Sequence, residues 1–448
     1  MLYAILDSIV KSCLGTHIGH IPVAAPTCAD DIAVMANTIS EAQGILDIIN
    51  YHTKRDLVKI NPDKSDAIFY NNKETKDVTL KLGQDVIKKA KETKHLGILR
   101  NENNKPNIAE RIRLGRATIY SLLGAGLHIR RGFSPVIAHK LWRTYAIPRC
   151  LYGLELLNIN KKDMNAMEMA QRKILRQFQG LPNNTANVAT YVLLGAEPTD
   201  ITIDKNALTF FMNIVRNKNS IEYEIISRQN VMANHQDKGF VNRIDDMLYK
   251  YGLQTISFYL DHPVTKKKWK ETIETATNKY WKRICQIEKD DKSSMKYIEI
   301  QNKPLKQAHN IWKSISNNVQ DVRSGEIKVR VSTQTYLLQE KRAKFDPSVP
   351  STCKLCRQAD EDIEHFLLWC PAYQSIREKH LKKLRNYINS IEQNKYENIV
   401  GDRNLVQLLL DCTSKNLNCK QVCHSKIERL SRNYIYELHK ERCKQMDC

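Results

Sequence analysis

Near its start the chain alternates short apolar runs with polar turns. Ile21 to Ala25 and Ile32 to Ala36 are two such runs, and Pro26-Thr27-Cys28-Ala29-Asp30-Asp31 lies between them. This order predicts strand, tight turn, strand, with the two aspartates at the turn. The period then changes. Ile45, Leu46 and Ile49 recur at helical spacing, with Ser40 as the expected N-cap and Gln43 closing a capping box. Val78, Leu80 and Leu82 alternate as a strand does. The polar residues from Asn101 to Pro106 read as a linker. Beyond them the pattern is helical almost throughout. Ile108 to Leu127 predicts one helix, and an aromatic-rich helix at Leu141-Trp142 is expected to end before Pro148.

The fold class this predicts is α+β: strands and helix over 1–100, helices over 101–200, and a basic helical region over 201–345. A small Cys/His module over 346–375 and a basic helical tail over 376–448 follow. Hydrophobic residues make up 42% of 448, enough for a sizeable core. No apolar run reaches membrane-spanning length. The apolar start, Met1 to Leu14, carries Asp7 and no basic residues before its apolar run, so a signal peptide is not expected. The expected location is intracellular, nucleus or cytoplasm, without secretion or membrane. Twelve cysteines then point to metal ligands or free thiols in a reducing compartment rather than to disulfides.

The formal net charge of +21 changes the picture most. It asks for a polyanionic partner, RNA or DNA first, against the plainer alternative of a basic protein with no such partner. Arg111, Arg113 and Arg116 would form one basic helix face, with Arg130 and Arg131 at its end, and Arg172, Lys173 and Arg176 another. Each also reads as an ordinary solvated face. Lys266 to Lys270 surrounds Trp269, which suits base stacking beside phosphate contacts or, as readily, a tryptophan packed inward. The tail from Lys420 to Lys444 is a further basic helix.

Two constellations carry chemistry. Asp30 and Asp31 repel each other, so a nearby cation favours both ionised, and hard oxygen ligands suit Mg²⁺ or Mn²⁺. A surface Asx turn is the alternative. Cys353-x2-Cys356 is followed by eight residues, His365, four residues and Cys370. Three thiolates and an imidazole make a closed tetrahedral set for structural Zn²⁺. His365 and Cys370 lie near one helical turn apart, so both can face one ion. Cys419, Cys423 and His424, after Cys412, form a weaker cluster that reads more readily as free thiols.

Further motifs follow the aspartates in order: Ile60-Asn61-Pro62-Asp63-Lys64-Ser65, then Lys94-His95-Leu96-Gly97-Ile98. At these residues the chain resembles the reverse transcriptases of non-LTR retrotransposons. Their palm has an aromatic-Ala-Asp-Asp hairpin, a helix, an Asn-x-x-Lys-Ser/Thr segment and a Tyr-Leu-Gly-Ile-like turn. Cys28 stands here for the usual aromatic and His95 for the usual tyrosine. The likeness continues at Pro148-x-x-x-Tyr152-Gly153-x-Glu155, at Leu193 to Pro198, at Tyr336 to Gln339 and through the Cys/His module.

The resemblance implies an RNA-directed DNA polymerase of a transposable element, with a partial palm over 1–100 and thumb-like helices over 101–200. It implies catalytic positions at Asp30, Asp31 and Lys64, a Mg²⁺ or Mn²⁺ cofactor, a structural zinc, and RNA and DNA as partners. In the family a further metal-binding Asp and the nucleotide pocket precede residues like Leu2 to Asp7. The sequence is therefore expected to be an N-terminally truncated element copy or a partial gene model, inactive alone. A non-catalytic zinc-containing RNA- or DNA-binding protein and a relic of a mobile element are the alternatives.

Overall fold

The computed structural model describes residues 2–70, 78–101, 105–122, 133–234, 238–300, 305–391, 396, 401–413 and 421–446. It is mostly helical with a few small sheets, the expected α+β class at its coarsest. The chain forms two compact units. One gathers 1–110, 153–159 and 206–270; the other gathers 111–152, 160–205 and 271–448.

In the first unit, Ile5 and Ile9 of helix Leu2–Ser12 join Ile45, Leu46 and Ile49 of helix Ile39–Arg55 in one core with Leu80, Leu82 and Ile87. The second helix starts two residues earlier than its sequence suggests. Thr38 is the N-cap, its hydroxyl accepting from the Glu41 N–H at 3.2 Å, while the Glu41 carboxylate accepts from the Asn37 N–H. The Glu41 carboxylate thus reaches the N–H just before the cap, a variant of the capping box, while Gln43 is engaged elsewhere. Gln43 instead bonds both the N–H and C=O of Lys81 at 2.9 Å, tying the helix to strand Leu80–Leu82.

The aspartate hairpin is present. Strands Thr27–Cys28 and Asp31–Ile32 pair antiparallel, with Cys28 opposite Asp31 and a two-residue turn between them. Backbone hydrogen bonds continue down its arms, Ala33 N–H to Pro26 and Met35 N–H to Ala24. A separate three-stranded sheet pairs Asp66–Ala67 parallel to Asp85–Lys89, and the latter antiparallel to Leu80–Leu82. Thr93–His95 and Ile98–Arg100 form another hairpin. Its turn residues Leu96 and Gly97 have φ of 49° and 79°, the signs a type I′ turn requires. Trp269, also in this unit, is packed inward and donates to the Leu208 carbonyl at 3.0 Å. It is not free to stack on a base.

In the second unit, helix Asn187–Leu194 is buried from Val188 to Leu194 and ends at Gly195, φ 64°. A Cβ there would lie 2.3 Å from the Gln307 carbonyl carbon, so only glycine fits. The aromatic-rich helix does not stop before Pro148. Pro135–Leu141 passes through a π-turn, Trp142–Ala146, into Ile147–Leu151. Proline has no N–H to give, and the wider turn re-phases the helix around it. Toward the C-terminus, helices Val319–Ser332, Gln374–Ile391, Asp402–Leu410 and Gln421–Met446 share one core with Cys353, Phe366, Leu367, Leu368 and Cys370. The last of these helices is not simply a basic surface. Arg432 and Arg442 are buried in it, paired with Asp321 and Glu361.

Candidate metal centre

The C-x2-C segment forms a tight knuckle. The Cys353 N–H donates to the Ala359 carbonyl at 2.8 Å, and the Arg357 N–H returns to the Cys353 carbonyl at 2.9 Å. Arg357 takes a left-handed φ of 58°, which turns the chain back. The Gln358 N–H then points at the Cys356 sulfur, 3.5 Å away. Asp362 caps the next turn, its carboxylate accepting from the His365 N–H at 2.7 Å. His365–Trp369 is a single π-turn, closed by the Cys370 N–H on the His365 carbonyl at 2.8 Å. A π-turn advances five residues, the interval between the two ligands, so it sets both side chains on one side.

The four ligand atoms lie within 4.8 Å of one another. Cys353 Sγ and Cys370 Sγ are 3.9 Å apart, and Cys356 Sγ and His365 Nε2 3.3 Å. A tetrahedron with arms of about 2.0 to 2.3 Å has edges of roughly 3.3 to 3.8 Å. The separation of the two sulfurs is also far too long for a disulfide, whose bond is about 2.0 Å. Geometry and donor set therefore fit a metal such as zinc. Burial pushes the Cys353 and Cys370 thiols up, Cys370 to about 12. At Cys356 burial opposes ionisation, yet the Gln358 N–H and the neighbouring thiols bring it below its ordinary value. Burial also lowers His365, which favours the neutral ring a metal needs.

The centre is braced from outside its own loop. Glu361, 1% exposed, receives two hydrogen bonds from the Arg442 guanidinium, at 2.7 and 2.8 Å, and one from the Gln339 N–H at 2.8 Å. Phe366 stacks on Tyr336 at 5.6 Å and meets Tyr373 edge-on. Arg377 donates to the Cys370 carbonyl at 2.6 Å, and Tyr434 to that of Leu367. Sequence reading missed Arg442. Its partner lies 81 residues away, and no local pattern marks such a pair.

The other expected site residues are distributed differently. Asp30 sits in the hairpin turn after Ala29, φ 55°, and Asp31 opens the second strand; both are exposed. Lys64 ends the short turn Pro62–Lys64 and is exposed. Among the described residues the Cys/His set is the one group of three or more metal-type ligands.

Arg113 and Arg116 are exposed, but Arg111 is buried, its guanidinium 4.9 Å over the Tyr152 ring, so it does not share their face. The ring quadrupole attracts a cation held over its face. Arg130 and Arg131 lie outside the described residues. On helix Lys161–Gln179, Lys173 is exposed and Arg172 is paired with Glu168. Arg176 holds the Thr185 carbonyl and the Asn187 side chain, each at 2.8 Å. Cys412 is buried; Cys419 and the Cys423 side chain fall outside the described residues.

No model of a known protein family matches the chain, and no curated protein matches it either. No described helix is long and apolar enough to cross a membrane.

Proposed function

We propose that this chain is a nucleic-acid-binding, zinc-containing part of a non-LTR-type reverse transcriptase. The observation that carries the reading is the convergence of Cys353, Cys356, His365 and Cys370, at the spacing of the module that follows the polymerase in such elements. The hairpin with Asp30 in its turn supports it, as does the net charge of +21. Zinc would hold the knuckle to the π-turn and do no chemistry, since four protein ligands leave it no open position. Asp30 and Asp31 would be two of the carboxylates that hold Mg²⁺ or Mn²⁺ in a polymerase. In-line phosphoryl transfer uses a clamp of two such ions and needs further ligands beside these two.

Fluorescence anisotropy with a labelled RNA–DNA primer–template tests the reading. The full chain should bind at low salt, with little preference for sequence. Absence of binding at low salt would sink it.

A further inference from the structure

A cleft of about 410 Å³ opens in the second unit, on residues that also brace the metal centre. Arg330, Arg342, Arg442 and His439 line it, with Leu181 and Tyr336 among its less polar walls. None of the described lining residues is a carboxylate. Two of the three guanidinium groups are already matched. Arg330 binds Glu326 at 2.6 Å and the Gly180 carbonyl at 2.8 Å, and Arg442 binds Glu361. Arg342, half-buried on helix Gln339–Phe345, has no side-chain hydrogen bond or ion pair among the described residues.

We propose that this cleft binds the phosphate of a nucleotide, with Arg342 as the group that grips it. A half-buried cation facing a cleft without carboxylates leaves a positive potential that an anion can satisfy. The guanidinium fork matches two phosphate oxygens at once, where an ammonium offers a point charge. Arg330 and Arg442 are neutralised and held in place by Glu326 and Glu361, so Arg342 supplies the unmatched charge. The volume falls in the range of small-ligand sites and suits one nucleotide rather than a duplex. Tyr336 already contacts Phe366 and Arg442 and bonds His439 at 2.8 Å, so it shapes the wall and is not a stacking platform. That the anion is a nucleotide rests on the nucleic-acid reading above; that the cleft takes an anion does not.

The test is calorimetric titration of the full chain with three probes. These are a nucleoside 5′-monophosphate, the matching nucleoside, and a short single-stranded oligonucleotide without terminal phosphate. A phosphate-bearing probe should bind more tightly than the nucleoside. Arg342→Gln should weaken that binding by about tenfold or more, and Arg342→Lys by less. A loss confined to the oligonucleotide assigns the phosphate to a strand; a loss confined to the monophosphate assigns it to a free nucleotide. Either supports the site. Equal binding of all probes, or Arg342→Gln binding as the wild type does, overturns it. If primer–template binding persists in that case, only the cleft is refuted. If the wild type binds no primer–template at all, the nucleic-acid reading fails as well. A matching melting temperature of Arg342→Gln confirms that the variant is folded when compared.

Discussion

At the scale of single residues, the metal ligands were the most legible feature of the sequence, because C-x2-C and H-x4-C each bring two ligands together locally. The bracing residues were not, since Glu361 and Arg442 meet only through the tertiary fold. Cys353 and Cys370 are fully buried in the core of the second unit, so a metal held there would tie the loop to that core and its loss would disturb more than the loop itself. Elemental analysis of the purified chain should find about one zinc per molecule, and Cys353→Ser should bring it close to none. The variant should also melt well below the wild type. A wild type that carries no zinc and takes none up would refute the centre.

His139 gives an independent expectation at this scale. Burial first, and the charge of Arg143 second, lower it to about 4 from an ordinary value near 6.5. The unfolded chain therefore takes up this proton more readily than the folded one. The contribution is complete above about pH 6.5 and is lost as pH falls through about 4, on the order of 3 kcal/mol. His139→Gln should flatten the stability profile in that window, read from denaturant melts at successive pH values. An unchanged slope would mean that other groups carry it.

Among the elements, the hydrophobic period placed helix Ile39–Arg55 and a hairpin around Asp30, but the paired strands are Thr27–Cys28 and Asp31–Ile32, so Asp31 lies in a strand rather than in the turn, and Ile21–Pro22 pairs with His17–Ile18 instead. Thr38 outcompeted Ser40 because a carboxylate at Glu41 reaches back to the backbone before the helix. Pro148 is a break on local rules alone, but a π-turn absorbs it. Arg111 reads as part of a basic stripe, yet the Tyr152 ring claims it, and ring contacts across elements leave no trace in periodicity. The pairing of helices Val319–Ser332 and Gln421–Met446 was equally invisible. Lys328 and Glu428, both fully buried, form an ion pair of 2.5 Å, with Ser431 a second partner at 2.6 Å. Removing one partner leaves a buried charge unmatched. Lys328→Met should thus cost about 3 to 5 kcal/mol, while Lys328→Met with Glu428→Leu should recover most of it. The double-mutant cycle reads this directly; a single variant as stable as the wild type would show the pair to be dispensable.

At the scale of the whole molecule, composition said more than pattern. An excess of 21 positive charges is a property no single helix shows, and several of the cations first assigned to binding faces have structural partners instead. Arg111 is buried against the Tyr152 ring and Arg172 and Arg176 are half-buried beside their partners; Arg113, Arg116 and Lys173 are exposed to solvent. Nucleic-acid binding, if it is set by the exposed set, should follow counterion release. With roughly six phosphates neutralised, affinity for a primer–template should fall about a thousandfold between about 50 and 200 mM salt. Exchanging Arg113 and Arg116 together for Gln should make that dependence shallower, by about two contacts' worth, while Arg111→Gln should act on stability and leave the salt slope alone. A titration in which affinity does not change with salt would remove the electrostatic basis of the interaction. One in which Arg111→Gln shifts the slope as much as the exposed pair would show that the guanidinium leaves the Tyr152 ring when nucleic acid arrives.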